Sequence, residues 1–418
     1  MKVVVVPAEV HPCHESFVEE VLTRGRWGAQ CTFLMRSASV DAPARARWNA
    51  AAVEILHRHT ASPWVARLRS YVTDLRYVPR MIGLLLRERP DVVIARDMTF
   101  PLFVALCLRP VFGFAVVFQK TYPNELRWFD SHWVQMHKYP WLWVVCRRLE
   151  DWALHLMMRA TDANLPITSY MARELERKWG HDPERNHSFG MGIHPEQSEP
   201  PAMSSVVLDG RVPQLVYVGT LAPSRRLEVM VDAFARVARR AQGPVPRMTV
   251  IGGTEDEVQG LLDHARALGI EEHVEFTGKL PRDQVYDVLR SHHIGLAYIP
   301  ADPRFVVASP TKCIECLALG LPVVATDAVA VNDDLRDLTG AVIVTRDDAD
   351  SYAEGIHEAI ESYADLRKAA IATRLKVVEE YDYESMRDRF WELLESLASD
   401  EHRIALLSDR RRSMSETT

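Results

Sequence analysis

The chain has 418 residues, 47% hydrophobic and 26% charged, an ordinary globular balance that excludes collagen-like, coiled-coil and wholly disordered chains. At roughly 150 residues per domain, this length predicts two or three domains, each with its own core. The net charge of -7 is uneven: residues 1–190 carry 25 Lys and Arg against 19 Asp and Glu, and the remainder 25 against 38. A basic first half on an acidic whole argues against general nucleic-acid binding and fits a local anionic partner such as a phospholipid surface, as well as plain unevenness of surface charge. Six cysteines are too few for a disulfide scaffold, so reduced thiols and a cytoplasmic setting are expected.

In chain order, MKVVVVPAEVHP reads as a buried strand with no small-residue cleavage site, so a secretory signal is not expected. Further strands are predicted at 31–35, 91–96, 115–119 and 162–166, with amphipathic helical stretches between them. Two basic stretches, 64–89 and 141–159, mix arginines with Trp and Leu; that pattern suits helices lying in an anionic phospholipid interface or core helices with snorkelling arginines. Arginines interrupt every apolar run well short of the ~18 residues of a membrane span. The Pro- and Ser-rich stretch HPEQSEPPAMSSVVLDGRVP carries the predicted linker, 196–212, between domains of 1–195 and 213–380. In the second domain strands are predicted at 214–219, 247–253, 274–278, 294–299, 322–327 and 341–345. A helix at 381–397 follows, with Met386, Phe390, Leu393, Leu394 and Leu397 on one stripe, within a closing segment of 381–399. The polar tail 400–418 is expected to be disordered. Alternating strands and helices predict two parallel α/β domains, with a nucleotide-type ligand at the strand C-termini.

The most informative segment is SPTKCIECLALGLPVVATD (309–327). Ser309 is expected to cap a helix that starts at Pro310 and ends at Gly320. The N–H groups of such a helix start can hold phosphate. Lys312 puts a cation in the first turn, where the helix dipole disfavours it, which hints at an anionic ligand. Thr311 and Glu315 share a face, setting a carboxylate one turn below, within reach of ribose hydroxyls. A capped surface helix of an ordinary βαβ unit fits the same letters. In YVGTLAPSRRLEVMVDAFARV (217–237), Arg225 and Arg226 lie in a strand-to-helix loop suited to a diphosphate or simply to solvent. Gly252 and Gly253 predict a tight turn. Asp348-Ala349-Asp350 has metal-binding spacing but stands where a helix cap belongs. Cys313 and Cys316 form a lone CxxC in an apolar helix and are read as buried thiols.

Together these pieces, with ALGIEEHVEFTGKLPRDQVYDVLRSHHIGLAYIP between them, resemble the retaining GT-B glycosyltransferases of family 4, the group 1 glycosyltransferases. The likeness is specific over about 210–345 and loose over 1–200. It implies an α/β fold of two Rossmann-like domains facing a central cleft, with the final helix crossing back to the first. It also implies transfer of a sugar, with retention, from a nucleoside diphosphate sugar to a glycan or lipid-linked hydroxyl. The implied donor residues are Gly219, Thr220, Gly253, Lys279, Leu280, Ser309, Pro310, Thr311, Lys312 and Glu315. Arg225, Lys312 and Glu315 are the catalytic candidates, with no metal and no cofactor. His11, His14 and Lys120 are the acceptor candidates. The chain departs from the pattern at Val307, where the family carries its first glutamate, and at Thr220, where it carries an arginine. These departures keep open a non-catalytic GT-B-like binding subunit, and more distantly a nucleotide-sugar epimerase. The implied setting is cytoplasmic, with peripheral contact to the inner face of the cell membrane.

Overall fold

A computed structural model describes residues 1–8, 10–11, 16–37, 44–57, 78–121, 140–194, 212–302, 305, 307, 309–327 and 339–399. His14, the 64–77 portion of the first basic stretch, nearly all of the expected linker and the 400–418 tail lie outside the described residues, as does the side chain of His11. The chain divides into two compact units: Met1–Gly190 with Tyr383–Thr418, and Met191–Asp382.

The first unit holds an eight-stranded sheet of β1 (Val3–Pro7), β2 (Val10–His11), β3 (Cys31–Ser37), β4 (Arg45–Trp48), β5 (Ala51–His57), β6 (Val92–Arg96), β7 (Ala115–Lys120) and β8 (Ala163–Pro166). Its order is β4-β5-β3-β1-β6-β7-β8, with β2 beside β3, and only the β4–β5 pair is antiparallel. Val3, Val4 and Val5 pair with Cys31, Thr32 and Phe33 on one side and with Val92, Val93 and Ile94 on the other. Every residue of β1, β6 and β7 is buried, as expected of parallel strands covered on both faces. The covering helices are α1 (Val18–Thr23, a π-helix), α2 (78–88), α3 (Thr99–Phe112), α4 (Pro140–Met158) and α5 (Ser169–Trp179). In the described part of the 64–89 stretch, Met81, Leu84 and Leu85 are buried, so this end packs as a core helix.

The second unit is wholly parallel, with β9 (Gln214–Val218), β10 (Arg247–Ile251), β11 (Val274–Gly278), β12 (Ile294–Ala297), β13 (Val323–Thr326) and β14 (Ala341–Val344) in the order β11-β10-β9-β12-β13-β14. Its helices are α6 (Glu228–Arg240), α7 (Glu255–Ala267), α8 (Arg282–Ser291), α9 (Thr311–Ala318), α10 (Ala349–Glu361) and α11 (Tyr363–Tyr381). Both sheets have the doubly wound order, with switch points between β1 and β6 and between β9 and β12. Gly295 in β12 lets α9 lie close, since a Cβ there would meet Cys316 Sγ at 2.4 Å. Arg367 of α11 donates to the Gly320 carbonyl just past α9.

The last helix, α12 (Tyr383–Ala398), belongs to the first unit. Met386, Phe390, Leu394 and Leu397 of the expected stripe are buried and Leu393 is half-buried. Trp391, off that stripe, is buried as well; it stacks on Trp27 at 4.9 Å and donates from Nε1 to the Val21 carbonyl at 3.0 Å. Arg387 donates to the neighbouring Glu20 carbonyl at 2.7 Å. The π geometry of α1 shifts its hydrogen-bond register, and α12 supplies donors to carbonyls of that turn.

Candidate active site

The C-terminal ends of β9, β10 and β11 are stitched in series: Gly219 N donates to the Ile251 carbonyl at 3.0 Å, and Gly252 N to the Gly278 carbonyl at 2.7 Å. A Cβ on Gly252 would fall 1.9 Å from the Gly219 oxygen, so glycine is required for this approach. Gly253 is buried against Leu221, whose Cδ1 would lie 2.6 Å from an added Cβ; it shapes the turn.

Across this platform lies Lys312, from the first turn of α9. A Cβ on Gly219 would meet Lys312 Cε at 2.5 Å and Nζ at 3.0 Å. The ammonium stands 5.0 Å from the Tyr217 ring centroid, and the Tyr217 hydroxyl donates to the Thr220 carbonyl at 3.4 Å. The ring face offsets part of the penalty of a cation at a helix N-terminus. The expected cap is corrected. Helix α9 begins at Thr311, with Pro310 in the cap position and no side-chain cap bond, because Pro310 is non-helical at φ -80°, ψ 48° and Ser309 stands outside the first turn. The cap residue thus supplies no side-chain bond to this helix start, Cys313 N donates to the Pro310 carbonyl at 2.9 Å, and the turn stands beside Lys312 and the β9–β12 switch point.

Glu315 stands one turn further along α9. Burial pushes its carboxyl above the usual carboxylate range, while the charges of Arg282 and Lys312 pull it back. Arg282, the first residue of α8, also contacts His194 Nε2 at 3.0 Å. It was not singled out from the sequence, although a charged residue directly after Pro281 at a helix start was the available signal. Beside it in the chain, Lys279 is exposed and Leu280 is half-buried against the core.

The Arg225–Arg226 pair divides its work. Arg225 ends a short 3-10 turn, Pro223–Arg225, with its guanidinium 4.1 Å from the Phe305 ring centroid. Arg226, in the left-handed region at φ 49°, donates to Asp347 Oδ2 at 2.9 Å. Asp347 also accepts from Ala301 N at 2.9 Å and from the Tyr298 hydroxyl, whose pKa burial and this carboxylate push up. One carboxylate thus ties the arginine turn to the end of β12 and the loop after it. Asp347, Tyr298, Tyr217 and Phe305 were all missed from the sequence.

Thr220 is exposed, Thr311 half-buried, and Val307 half-buried in the loop before α9. Asp348 caps α10 by accepting from Ser351 N at 2.8 Å, and Asp350 pairs with Arg236 at 2.7 Å, so both are engaged as helix and surface residues. Among the described residues no group of three or more His, Cys, Asp or Glu is placed to hold a metal ion. Cys313 and Cys316 are buried, and burial pushes the Cys316 thiol well up. In the first unit, Lys120, an acceptor candidate, is 1% exposed at the end of β7. His11 ends β2, paired with Ser37 of β3.

A doubly wound unit presenting glycine turns, a helix start and the Lys312 ammonium at its switch point has the features that suit a nucleotide or phosphate ligand. Solved structures give the architecture as GT-B. Anabaena HepE in complex with UDP aligns with a TM-score of 0.69 at 14% identity, covering 95% of this chain and 100% of that one. Sucrose-phosphate synthase from Thermosynechococcus elongatus aligns at 0.70 and 14%, covering 95% and 99%. Residues 201–376 match the family of glycosyl transferases group 1, which bears out the resemblance read from the motifs. D-inositol 3-phosphate glycosyltransferase of Nocardia farcinica is 25% identical over 218 residues, 50% of this chain and 47% of the relative. The human GDP-Man:Man(3)GlcNAc(2)-PP-Dol alpha-1,2-mannosyltransferase is 27% identical over 173 residues, 38% and 34% of the two chains. The matched stretch spans about half the length of the inositol-phosphate relatives.

Proposed function

We propose that the protein transfers a hexosyl group from a nucleoside diphosphate sugar to a hydroxyl of a glycan or lipid-linked acceptor, with retention of anomeric configuration. The observation that carries this reading is Lys312 laid over the Gly219 backbone at the β9–β12 switch point, with Glu315 one turn below. Glu315 would accept the ribose hydroxyls, and the turns at Gly219 and Gly253 would let the nucleotide approach the backbone. As the bond from the anomeric carbon to the diphosphate oxygen breaks, its electron pair stays on that oxygen. Lys312, Arg225 and the first N–H groups of α9 would stabilise the charge that develops there. The acceptor hydroxyl adds to the same carbon and loses its proton. In a retaining reaction the departing diphosphate lies on that face and is a base within reach.

These positive charges are side chains, so turnover is expected to survive a chelator. The test is release of nucleoside diphosphate over a donor panel, beginning with UDP- and GDP-sugars, since UDP is bound in the HepE structure and GDP-Man stands in the name of the human relative. Proton NMR of the product then reads its anomeric configuration. A donor panel in which nothing is bound or turned over defeats the proposal. Val307 and the exposed Thr220 favour a second reading, a GT-B-like protein that binds donor without turnover; binding without released nucleoside diphosphate would select it. The proposed setting is the cytoplasmic side of a membrane carrying the acceptor.

A further inference from the structure

Nine large hydrophobic side chains are exposed among the described residues, and seven of them stand on α3 and α4, which pack against each other. On α4 they are Trp141, Val145, Leu149, Trp152 and Leu156, at steps of four, four, three and four residues, and so in one line along the helix. At 1.5 Å per residue this line is about 22 Å long. The opposite face of α4 is already used: Leu154, His155 and Met158 are buried. Phe103 and Val111 are exposed on the neighbouring α3. With Trp141 67% and Trp152 58% exposed, the whole face is on the order of 700 Å², above the 300–600 Å² of an ordinary monomer's largest patch.

We infer that this α3–α4 face docks on an anionic lipid bilayer. Charge selects that occupant. The exposed charged side chains described on α4 and directly after it are arginines, Arg148 and Arg159, whereas Glu150 and Asp151 are half-buried and α3 contains no acid. Two copies of the chain meeting across a twofold axis would bring these arginines toward each other, whereas an anionic headgroup layer neutralises them. The tryptophans suit the headgroup boundary, with Val145, Leu149 and Leu156 reaching the acyl edge. No described helix is long and apolar enough to cross a membrane, so the contact is interfacial. The inference deepens the proposed function by naming the surface from which a lipid-linked acceptor would be taken, and it rests on that reading only for the acceptor.

The test is co-sedimentation of the full chain with vesicles of phosphatidylcholine alone and of phosphatidylcholine with one third phosphatidylglycerol. Binding is expected to the anionic vesicles, to weaken as salt is raised, and to fall at least tenfold in the double variant Trp141→Ser, Trp152→Ser. Both positions are exposed, so the variant should fold, and UDP-induced thermal stabilisation, measured in parallel, should match the parent. Vesicle binding in a protein that stabilises with no nucleoside diphosphate would keep this inference and remove the proposed function. Failure to bind anionic vesicles at low salt would overturn the inference, as would equal binding by the double variant. So would light scattering that shows a dimer which the double variant abolishes, because a second copy would then cover the face.

Discussion

Replacing Glu315 by Gln separates the cost of this side chain from its use. Burial raises its carboxyl pKa above the usual carboxylate range, and Arg282 and Lys312 only partly oppose that. A carboxyl with a raised folded-state pKa holds its proton more tightly in the folded chain. Its stabilising effect is complete below the unfolded value and is lost as pH rises through the folded one. At neutral pH the ionised group therefore costs stability, and Gln, of the same shape without the charge, relieves the cost. For an under-solvated polar group the gain is on the order of 1 kcal/mol, about 2–4 °C in Tm for a unit of this size. The same change weakens a charged acceptor of ribose hydroxyls, worth about 1.5–3 kcal/mol, so affinity for a nucleoside diphosphate should fall roughly tenfold to hundredfold. A thermal scan with and without UDP, from about pH 5 to about pH 8, reads both effects. Glu315→Gln should melt above the parent without ligand, most clearly at the alkaline end, and gain less from UDP. If the variant melts lower and its UDP shift is unchanged, Glu315 is a structural residue and the nucleotide site lies elsewhere.

Lys312→Met keeps the contact with Tyr217 and Gly219 but removes the charge, so kcat should fall by about 10- to 100-fold with little change in KM, as for an interaction made mainly in the transition state. Asp347→Asn weakens the tie among Arg226, Tyr298 and Ala301, and about 1–3 kcal/mol of stability should be lost from the second unit in urea unfolding, with turnover falling as Arg225 loses its support. In the first unit, burial, with the Lys120 and Arg159 charges nearby, lowers the pKa of His155 to about 2 and of His181 to about 4. The unfolded chain takes these protons first, so stability should drain away as pH falls below about 6.5. His155→Phe, which keeps a ring against Trp179, should flatten Tm against pH; an unchanged slope would dismiss the pair as its cause.

The core strands were legible because parallel strands buried on both faces leave runs such as Val3 to Val6 and Val92 to Ile94 that hydrophobicity alone exposes. The β4–β5 hairpin was not legible. Arg45-Ala46-Arg47-Trp48 lies at the sheet edge, lacks β-branched residues and is nowhere fully buried. Its turn uses Asn49 in the left-handed region, a signal too slight without the usual Gly. In the site, Lys312 and Glu315 were readable because helix spacing and the dipole conflict are local facts. Asp347 and Arg226 stand 121 residues apart, and the segments after β9 and β14 bring them together. Trp391 escaped the stripe for a comparable reason: its burial depends on Trp27 and on a π turn that no periodicity announces.

The two sheets have the same order, yet the described residues at their switch points differ, and that difference bears on where the proposed donor would sit. In the first unit β6 ends in Arg96, 2% exposed with its guanidinium 5.8 Å from the Phe17 ring centroid. Asp97 follows at φ 51° and accepts from Thr121 N at 2.9 Å and from the Thr121 hydroxyl. Among the described residues, the ends of β6 and β7 are thus joined by a side-chain network. In the second unit β9 runs into Gly219 and β10 into Gly252, so close that a single Cβ would collide with the neighbouring carbonyl, and the charge present is the Lys312 ammonium. A pyrophosphate needs close backbone approach, a helix start and a cation together. Among the described residues the second switch point brings these three together, which supports placing the proposed donor on the second unit.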